Sequence, residues 1–172
     1  EARFIDGKLA APTGYVDADW AGDSHDRKST TGYIFLMCGG PVSWISKKQL
    51  SVTLSSCEAE YTALSEAVKQ AMYLSYFRQD FDLDTSESMK IYADNQSAII
   101  IATTPSYIYY GPTKHIDVRL HHIRGQVACG AITVEYCPTE SMLADPLTKS
   151  LPAPHFRKLC ALINMVSHGK TQ

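Results

Sequence analysis

The sequence predicts an α/β fold in which a mixed five-stranded sheet, beginning with three antiparallel strands, carries helices on both faces. Three short segments rich in strand-forming residues follow one another before residue 50, with turn residues between them. Helical segments then alternate with two further short strands. With 172 residues, of which 45% are apolar and 20% charged, the chain is long enough for one domain with a sizeable core.

The first three predicted strands are bounded by turn residues. The first strand spans residues 14–20 and ends at Ala21-Gly22-Asp23. The second spans 33–38 and the third 42–46. Gly39-Gly40-Pro41 lies between the second and third strands, so these two are predicted to form a hairpin.

The strongest predicted helix spans residues 57–77. It contains many good helix formers and no Gly or Pro, and Ser55 or Ser56 precedes it as a capping residue. Apolar residues recur along it at steps of three and four, which predicts one buried face: Tyr61, Leu64, Val68 and Met72.

The second half of the chain alternates strands with helices. In order, it is predicted to contain a strand at 89–93, helices at 96–102 and 114–129, a strand at 131–136, and helices at 143–151 and 155–166. Gly130 fits as the stop of the helix before it. Pro146 lies inside the penultimate helix, which leaves the start of that helix open.

Composition excludes several classes of protein. Lys and Arg total 16 against 18 Asp and Glu, so the net charge of -2 provides no overall attraction for a nucleic acid. A local patch would be needed, and Arg27-Lys28 and Lys47-Lys48 are candidates. No apolar run of about eighteen residues exists, so no membrane partner is expected. The five cysteines form no C-x-x-C motif, which argues against a zinc ribbon or a disulfide framework and suits an intracellular compartment.

Four acidic residues lie at positions where a charged side chain is costly to bury or where ligand sites are common. Asp17 lies inside the first strand, and Asp145 follows an apolar stretch, so both are costly to bury alone. Asp94 ends the fourth strand, where ligand sites of α/β sheets gather. On the long helix, Glu60 falls at the edge of the buried stripe, whereas Glu58 falls on its other side. Glu60 is therefore the predicted inward-facing carboxylate.

Converging carboxylates without a matching Lys or Arg repel one another, and divalent cations relieve that repulsion. Oxygen ligands with open positions suit Mg²⁺ or Mn²⁺. Two such ions about 4 Å apart are a known arrangement for phosphodiester hydrolysis. Spacing alone leaves a second interpretation open, in which the four residues are unrelated surface or capping carboxylates.

Seven strings, in the same order, make the chain resemble the ribonuclease H domain of copia-type LTR retrotransposon Pol polyproteins. The resemblance covers residues 14–151. The strings are YVDADWAGD (15–23), RKSTTGY (27–33), SWISKKQ (43–49), SSCEAEY (55–61), ADNQSA (93–98), TKHID (113–117) and ADPLTK (144–149).

This resemblance implies the RNase H-like fold and Mg²⁺-dependent endonucleolytic cleavage of the RNA strand of RNA:DNA hybrids during reverse transcription. It implies a reverse transcriptase domain upstream, with residues 1–13 as its trailing leader, 14–151 as the ribonuclease H domain and 152–172 as a C-terminal helix and tail. The expected location is intracellular, in the cytoplasm within virus-like particles, or in the nucleus.

The resemblance also implies roles for individual residues. Asp17, Glu60, Asp94 and Asp145 become the catalytic ligands of two Mg²⁺ ions, for which Mn²⁺ could substitute. Asp19, two residues after Asp17 on the same strand face, is a candidate supporting partner of the ligands. Polar groups beside the expected ions are candidates for contacting the RNA strand: Gly22, Ser55, Ser56, Asn95 and Gln96. Ser55 and Ser56 have a rival role as helix caps.

The sequence departs from the family pattern at two places, and the second departure keeps an alternative open. Residues 137–142 contain no His where cellular ribonucleases H usually have one, and residues 107–112 are rich in Tyr where copia-type sequences tend to have His and Arg. The alternative is a non-catalytic, domesticated or degenerate module that binds hybrid nucleic acid or a protein partner. An integrase-like nuclease of the same fold is a third reading, which the order of the strings disfavours.

Overall fold

The computed structural model describes residues 4–5, 8–23, 25–83, 86–104 and 114–165. The predicted loop 103–113 lies mostly outside these residues, as does Val166 at the predicted end of the last helix. The elements are β1 (Phe4–Ile5), β2 (Lys8–Leu9), β3 (Thr13–Asp19), β4 (Thr30–Met37), β5 (Gly40–Lys48), α1 (Ser56–Asp80), β6 (Met89–Ala93), α2 (Gln96–Thr103), α3 (Lys114–Ala128), β7 (Ile132–Tyr136) and α4 (Ala153–Leu162).

The five-stranded sheet has the order β5-β4-β3-β6-β7. The pairs β3–β4 and β4–β5 are antiparallel, whereas β3–β6 and β6–β7 are parallel. The predicted mixed sheet, with three antiparallel strands first, is therefore confirmed. Parallel β3 and β6 are neighbours, so their carboxyl ends meet at one edge of the sheet.

Helices cover both faces of the sheet, as predicted. The larger core lies beneath α1, α2 and α3, where Val16, Phe35 and Ile91 of the sheet meet Leu64 of α1 and Ile123 of α3. A smaller cluster on the opposite face packs Ile34 against Leu143 and against Leu159 and Ile163 at the end of α4. Strand alternation explains this division, because successive side chains of β3 and β4 point to opposite faces.

The helix predicted at 143–151 is wrong. The chain forms two short 3-10 turns there, Thr139–Ser141 and Asp145–Leu147. Four consecutive side chains, residues 142–145, are buried, and a single helix face cannot bury four in a row. Leu143 packs into the cluster with α4, whereas Met142 and Ala144 pack beside Cys137. The segment thus passes between two clusters.

Two of the shifts in element boundaries have local reasons. The predicted turn at residues 39–41 lies instead at Cys38-Gly39, because Met37 pairs with Gly40 across a two-residue loop. Both loop residues have positive φ, 56° and 81°, as this hairpin turn requires. Helix α4 begins two residues before the predicted start and ends at Leu162, where Asn164 adopts a left-handed conformation with a φ of 60°.

Candidate metal centre

Asp17 and Asp94 meet because they belong to neighbouring parallel strands. Asp17 lies near the end of β3, and Asp94 is the first residue after β6. Asp17 is only 1% exposed, although it is a charged residue in a strand. Thr139, in the turn after β7, donates a hydrogen bond of 3.0 Å from its hydroxyl to Asp94 Oδ2. The sheet edge thus holds both carboxylates.

Glu60 reaches the same place from the first turns of α1. Ser55 caps this helix by accepting a 3.1 Å hydrogen bond from the Glu58 N–H. The buried Gln49 side chain ties the helix to the sheet, because its Nε2 donates to both Thr31 Oγ1 and the Ala59 carbonyl at 3.0 Å. The N–H of Ala18 donates to the Glu60 carboxylate. The predicted inward orientation of Glu60 is what the structure shows.

The glycine at position 32 of β4 leaves room for the turn that carries Asp145. Gly32 pairs directly with Asp17, and a Cβ at Gly32 would lie 2.6 Å from Thr148 Cγ2 and 2.9 Å from Leu147 Cβ. The turn that carries Asp145 therefore packs against β4 only because residue 32 is glycine. Asp145 is 2% exposed and ends up beside Asp17.

Three of the carboxylates form a compact set. Asp17, Glu60 and Asp94 each offer an oxygen, and these atoms lie within 4.8 Å of one another. Asp145 lies outside this set and is linked to Asp17 through a lysine. Lys149 Nζ is 3.1 Å from Asp145 Oδ1 and 3.5 Å from Asp17 Oδ2. The four acidic residues are thus brought together, three directly and one through Lys149.

The expectation that the converging carboxylates lack a matching cation is wrong, because Lys149 contacts two of them. The neighbouring Thr148 hydroxyl also donates a hydrogen bond to Asp17 Oδ2. Both residues belong to the string 144–149, and the spacing of four between Asp145 and Lys149 could have indicated an ion pair. The contact of Thr148 with Asp17 joins residues 131 positions apart, and no local pattern encodes it.

Burial and mutual repulsion raise the pKa of three carboxyls of the cluster, those of Glu60, Asp145 and Asp17. Burial, reinforced by Asp17 and Asp94, raises the pKa of Glu60 to about 9. Burial and the nearby Asp17 raise the pKa of Asp145 to about 6. Burial also raises the pKa of Asp17, although Thr148 and Lys149 oppose this. For Lys149, burial disfavours the charge, but attraction to Asp17 and Asp145 outweighs it and the pKa is raised.

The donor set fits a hard divalent cation. Every candidate ligand atom is a carboxylate oxygen, the type that Mg²⁺ and Mn²⁺ prefer. Among the described residues, Glu60 Oε2 is buried and finds no hydrogen-bond partner, which is a costly state that a cation would relieve. Repulsion among Asp17, Glu60 and Asp94 would be relieved by the same ion.

Of the remaining predicted site residues, two act as helix caps. Asn95 caps α2 by accepting a 3.0 Å hydrogen bond from the Ala98 N–H, just as Ser55 caps α1. Ser56 and Gln96 are exposed at the first positions of the same two helices. The Asp19 carboxylate folds against Gly22, where an added Cβ would meet Asp19 Oδ2 at 1.9 Å. Asp19 is not among the three residues whose oxygens converge.

Comparisons with known proteins identify relatives of the chain. A family model described as reverse transcriptase-like matches residues 16–100. The chain is 43% identical over 155 residues to the retrovirus-related Pol polyprotein from transposon TNT 1-94 of Nicotiana tabacum. It is 37% identical over 152 residues to the corresponding polyprotein from transposon RE2 of Arabidopsis thaliana.

The chain belongs to the ribonuclease H-like family of copia-type Pol polyproteins. The two matches cover 90% and 88% of this chain but only 11% and 10% of the polyproteins, so it corresponds to about a tenth of their length. This membership and the fold expected from it are confirmed.

A solved structure shows the same fold. LC11-RNase H1 in complex with an RNA/DNA hybrid superposes with a TM-score of 0.55 and 13% identity, covering 80% of this chain and 93% of that one. At this identity the likeness establishes the RNase H fold alone. Within the part of the chain that the structure describes, no helix is both long and apolar enough to cross a bilayer.

Proposed function

We propose that this ribonuclease H-like domain hydrolyses the RNA strand of RNA:DNA hybrids during retrotransposon reverse transcription. The observation that carries the proposal is the convergence of Asp17, Glu60 and Asp94, with Asp145 alongside, at the carboxyl ends of β3 and β6. The solved ribonuclease H that shares this fold is bound to an RNA/DNA hybrid, which supports the same substrate here.

The four carboxylates would hold two Mg²⁺ ions, for which Mn²⁺ could substitute. When bound, such ions activate a water and stabilise the charge that develops on the phosphate and the leaving oxygen. The protein keeps Asp17 and Glu60 buried and oriented, through Thr148 and through the Ala18 N–H. Both contacts fix the ligand oxygens before substrate arrives, which lowers the cost of organising the site.

Substrate contacts are proposed for the polar groups that surround the cluster. Ser55 and Asn95 use their side-chain oxygens as helix caps, so their remaining contribution is to hold helix N-termini beside the phosphate path. Ser56, Gln96 and Gly22 are exposed and accessible to a ribose or phosphate. We further propose an upstream reverse transcriptase partner and an intracellular location, in keeping with the polyprotein relatives.

A cleavage assay tests this function. Hybrids labelled on either the RNA or the DNA strand are incubated with the 172-residue chain in Mg²⁺, Mn²⁺ or EDTA. The proposal expects metal-dependent fragments from the RNA strand alone. Fragments that form equally in EDTA, or equal cutting of the DNA strand, would reject it.

Lys149 gives a specific reason to keep the non-catalytic alternative. An ammonium between Asp17 and Asp145 already neutralises part of the cluster without any metal. A domain that binds hybrid tightly in a filter-binding assay but yields no fragments in either metal would favour this second function.

A further inference from the structure

The cluster offers two cation positions that differ in their surroundings. Asp17, Glu60 and Asp94 surround the first, where their oxygens lie within 4.8 Å of one another. The second lies between Asp17 and Asp145, and there the Lys149 ammonium contacts both carboxylates. Lys149 is thus in the place that a second cation would need.

We propose that Lys149 is a built-in counter-ion that competes with a divalent cation for the Asp17–Asp145 position. This inference rests on the proposed metal-dependent function and adds to it an order of binding. The first position fills while Lys149 stays in place, and the second fills only when Lys149 withdraws or when further negative charge enters the site.

Charge counting supports this order. The four carboxylates carry four negative charges when ionised, and Lys149 with one divalent cation supplies three positive charges. If Lys149 stays in place, a second divalent cation raises the positive total to five, which exceeds the four negative charges. A phosphate of the nucleic-acid backbone would supply the missing negative charge. The second ion is therefore expected to bind weakly when no nucleic acid is present.

The surroundings of Lys149 allow such a displacement. Its side chain is 33% exposed, whereas those of Asp17 and Asp145 are each 2% exposed, so the amine has a route to water that the carboxylates lack. Lys149 follows the 3-10 turn at residues 145–147, and rotation of its long, flexible side chain can carry the amine toward water. Thr148 stays hydrogen-bonded to Asp17 and keeps that carboxylate in place.

The test measures Mn²⁺ binding to the substrate-free chain by electron paramagnetic resonance, which counts free and bound ions without any reference to cleavage. The wild-type chain should show one tight ion and one weak ion. Lys149→Met, which keeps the length of the side chain but removes its charge, should tighten the weak ion by at least about tenfold. Lys149→Gln should behave likewise, and Lys149→Arg should resemble the wild type.

Lys69→Met is the matched control, because Lys69 pairs with Glu66 on the outer side of α1. Unchanged or weaker Mn²⁺ binding in Lys149→Met and Lys149→Gln overturns the competition, and so does equal tightening in Lys69→Met. If Mn²⁺ binds and hybrid is cleaved but the two Lys149 variants leave the affinity unchanged, only this inference fails. If no form of the chain binds Mn²⁺, the proposed metal-dependent function fails with it.

Discussion

Asp17 is a buried carboxylate near the end of the central strand, and two specific contacts make its burial tolerable. It accepts a hydrogen bond from Thr148 and pairs with Lys149, whereas the neighbouring Asp94 and Glu60 carboxylates repel it. The two favourable contacts offset part of the cost of ionising a residue that is only 1% exposed. The proposed chemistry of the domain therefore depends on a few individual carboxylates.

Asp94→Asn is expected to lower hybrid cleavage by more than about 100-fold. The amide keeps the size of the side chain but removes a charge that a divalent cation needs, and several kcal/mol of transition-state stabilisation depend on such an ion. Initial rates on a labelled hybrid measure the loss. Asp80→Asn, at the exposed end of α1, is the control and should cleave at the wild-type rate. Full activity in Asp94→Asn would remove this residue from the site.

Without divalent cations, the chain is expected to lose stability as the pH rises from 6 to 9. Glu60, with a pKa of about 9, keeps its proton when folded but ionises near its ordinary value of 4.5 when unfolded. The folded state therefore binds more protons across this range, and the free energy of unfolding falls by up to about 1.4 kcal/mol per pH unit. Melting temperatures in EDTA measure the slope.

Glu60→Gln should flatten this slope, because the amide does not titrate. Glu66→Gln, on the exposed side of the same helix, should leave it unchanged. Added Mg²⁺ should reduce the slope in the wild type, since a bound cation stabilises the ionised carboxylate. A wild-type stability that rises with pH across this range would contradict the raised pKa of Glu60.

At the scale of elements, the site is assembled by three pieces that approach the end of β3 from different directions. Strand β6 arrives in parallel and brings Asp94, α1 lies across one face and brings Glu60, and the turn after Met142 lies on the other face and brings Asp145. Gln49 fastens the helix, and the absence of a side chain at Gly32 admits the turn.

Gly32→Ala is expected to displace the turn that carries Asp145. The new methyl group would meet Thr148 and Leu147 at less than 3.0 Å, and overpacking of this kind costs about 1–3 kcal/mol of stability. Cleavage should fall as well, because Thr148 and Asp145 move away from Asp17. Chemical denaturation and hybrid cleavage measure the two effects.

Gly40→Ala is the matched control, since no atom of the residues that the structure describes lies within 4 Å of a Cβ added there. It should preserve both stability and activity. Gly32→Ala/Thr148→Ser, which removes the methyl group in closest conflict, should recover part of the loss. If Gly32→Ala equals the wild type in both measurements, close packing at Gly32 does not position Asp145.

The sequence predicted the elements with strong local patterns and missed those set by distant contacts. The apolar stripe of α1 and the strand before Asp94 were predicted because their periodicity and turn residues are local. The prediction of a helix at 143–151 was wrong because contacts on two sides of that segment, rather than one apolar face, determine its conformation. The four acidic site residues could be predicted from strand ends and from strings shared with the family, because both are local features of the sequence. The contact of Lys149 with Asp17 joins distant parts of the chain and could not be predicted in this way.

At the scale of the whole molecule, a net charge of -2 requires that a polyanionic hybrid be attracted locally. The two basic pairs predicted for this purpose differ in the structure. Lys48 is paired with Asp23 and Asp26, and Lys28 lies 3.8 Å from Asp26, so both are partly neutralised. Lys47 lies in a groove beside Arg119, with Thr62 and Gln49 in its wall. This groove borders the N-terminal half of α1.

Lys47→Ala is expected to weaken hybrid binding and to lower the slope of log affinity against log salt by about 0.9 if Lys47 contacts one phosphate. Lys48→Ala should change both quantities less, because Lys48 is engaged by Asp23. Fluorescence anisotropy of a labelled hybrid at several salt concentrations measures them, with EDTA present so that no cleavage occurs. A larger effect from Lys48 than from Lys47 would assign the phosphate path to the other side of β5.

The most direct measurement is the anomalous scattering of Mn²⁺ in crystals of the domain, because it locates the ion itself. If the carboxylates form one metal centre, a peak lies among Asp17, Glu60 and Asp94 and disappears in Asp94→Asn crystals. A saturating Mn²⁺ soak that leaves this position without a peak, or places the ion only at other carboxylates, would contradict the metal centre and the hydrolysis that depends on it.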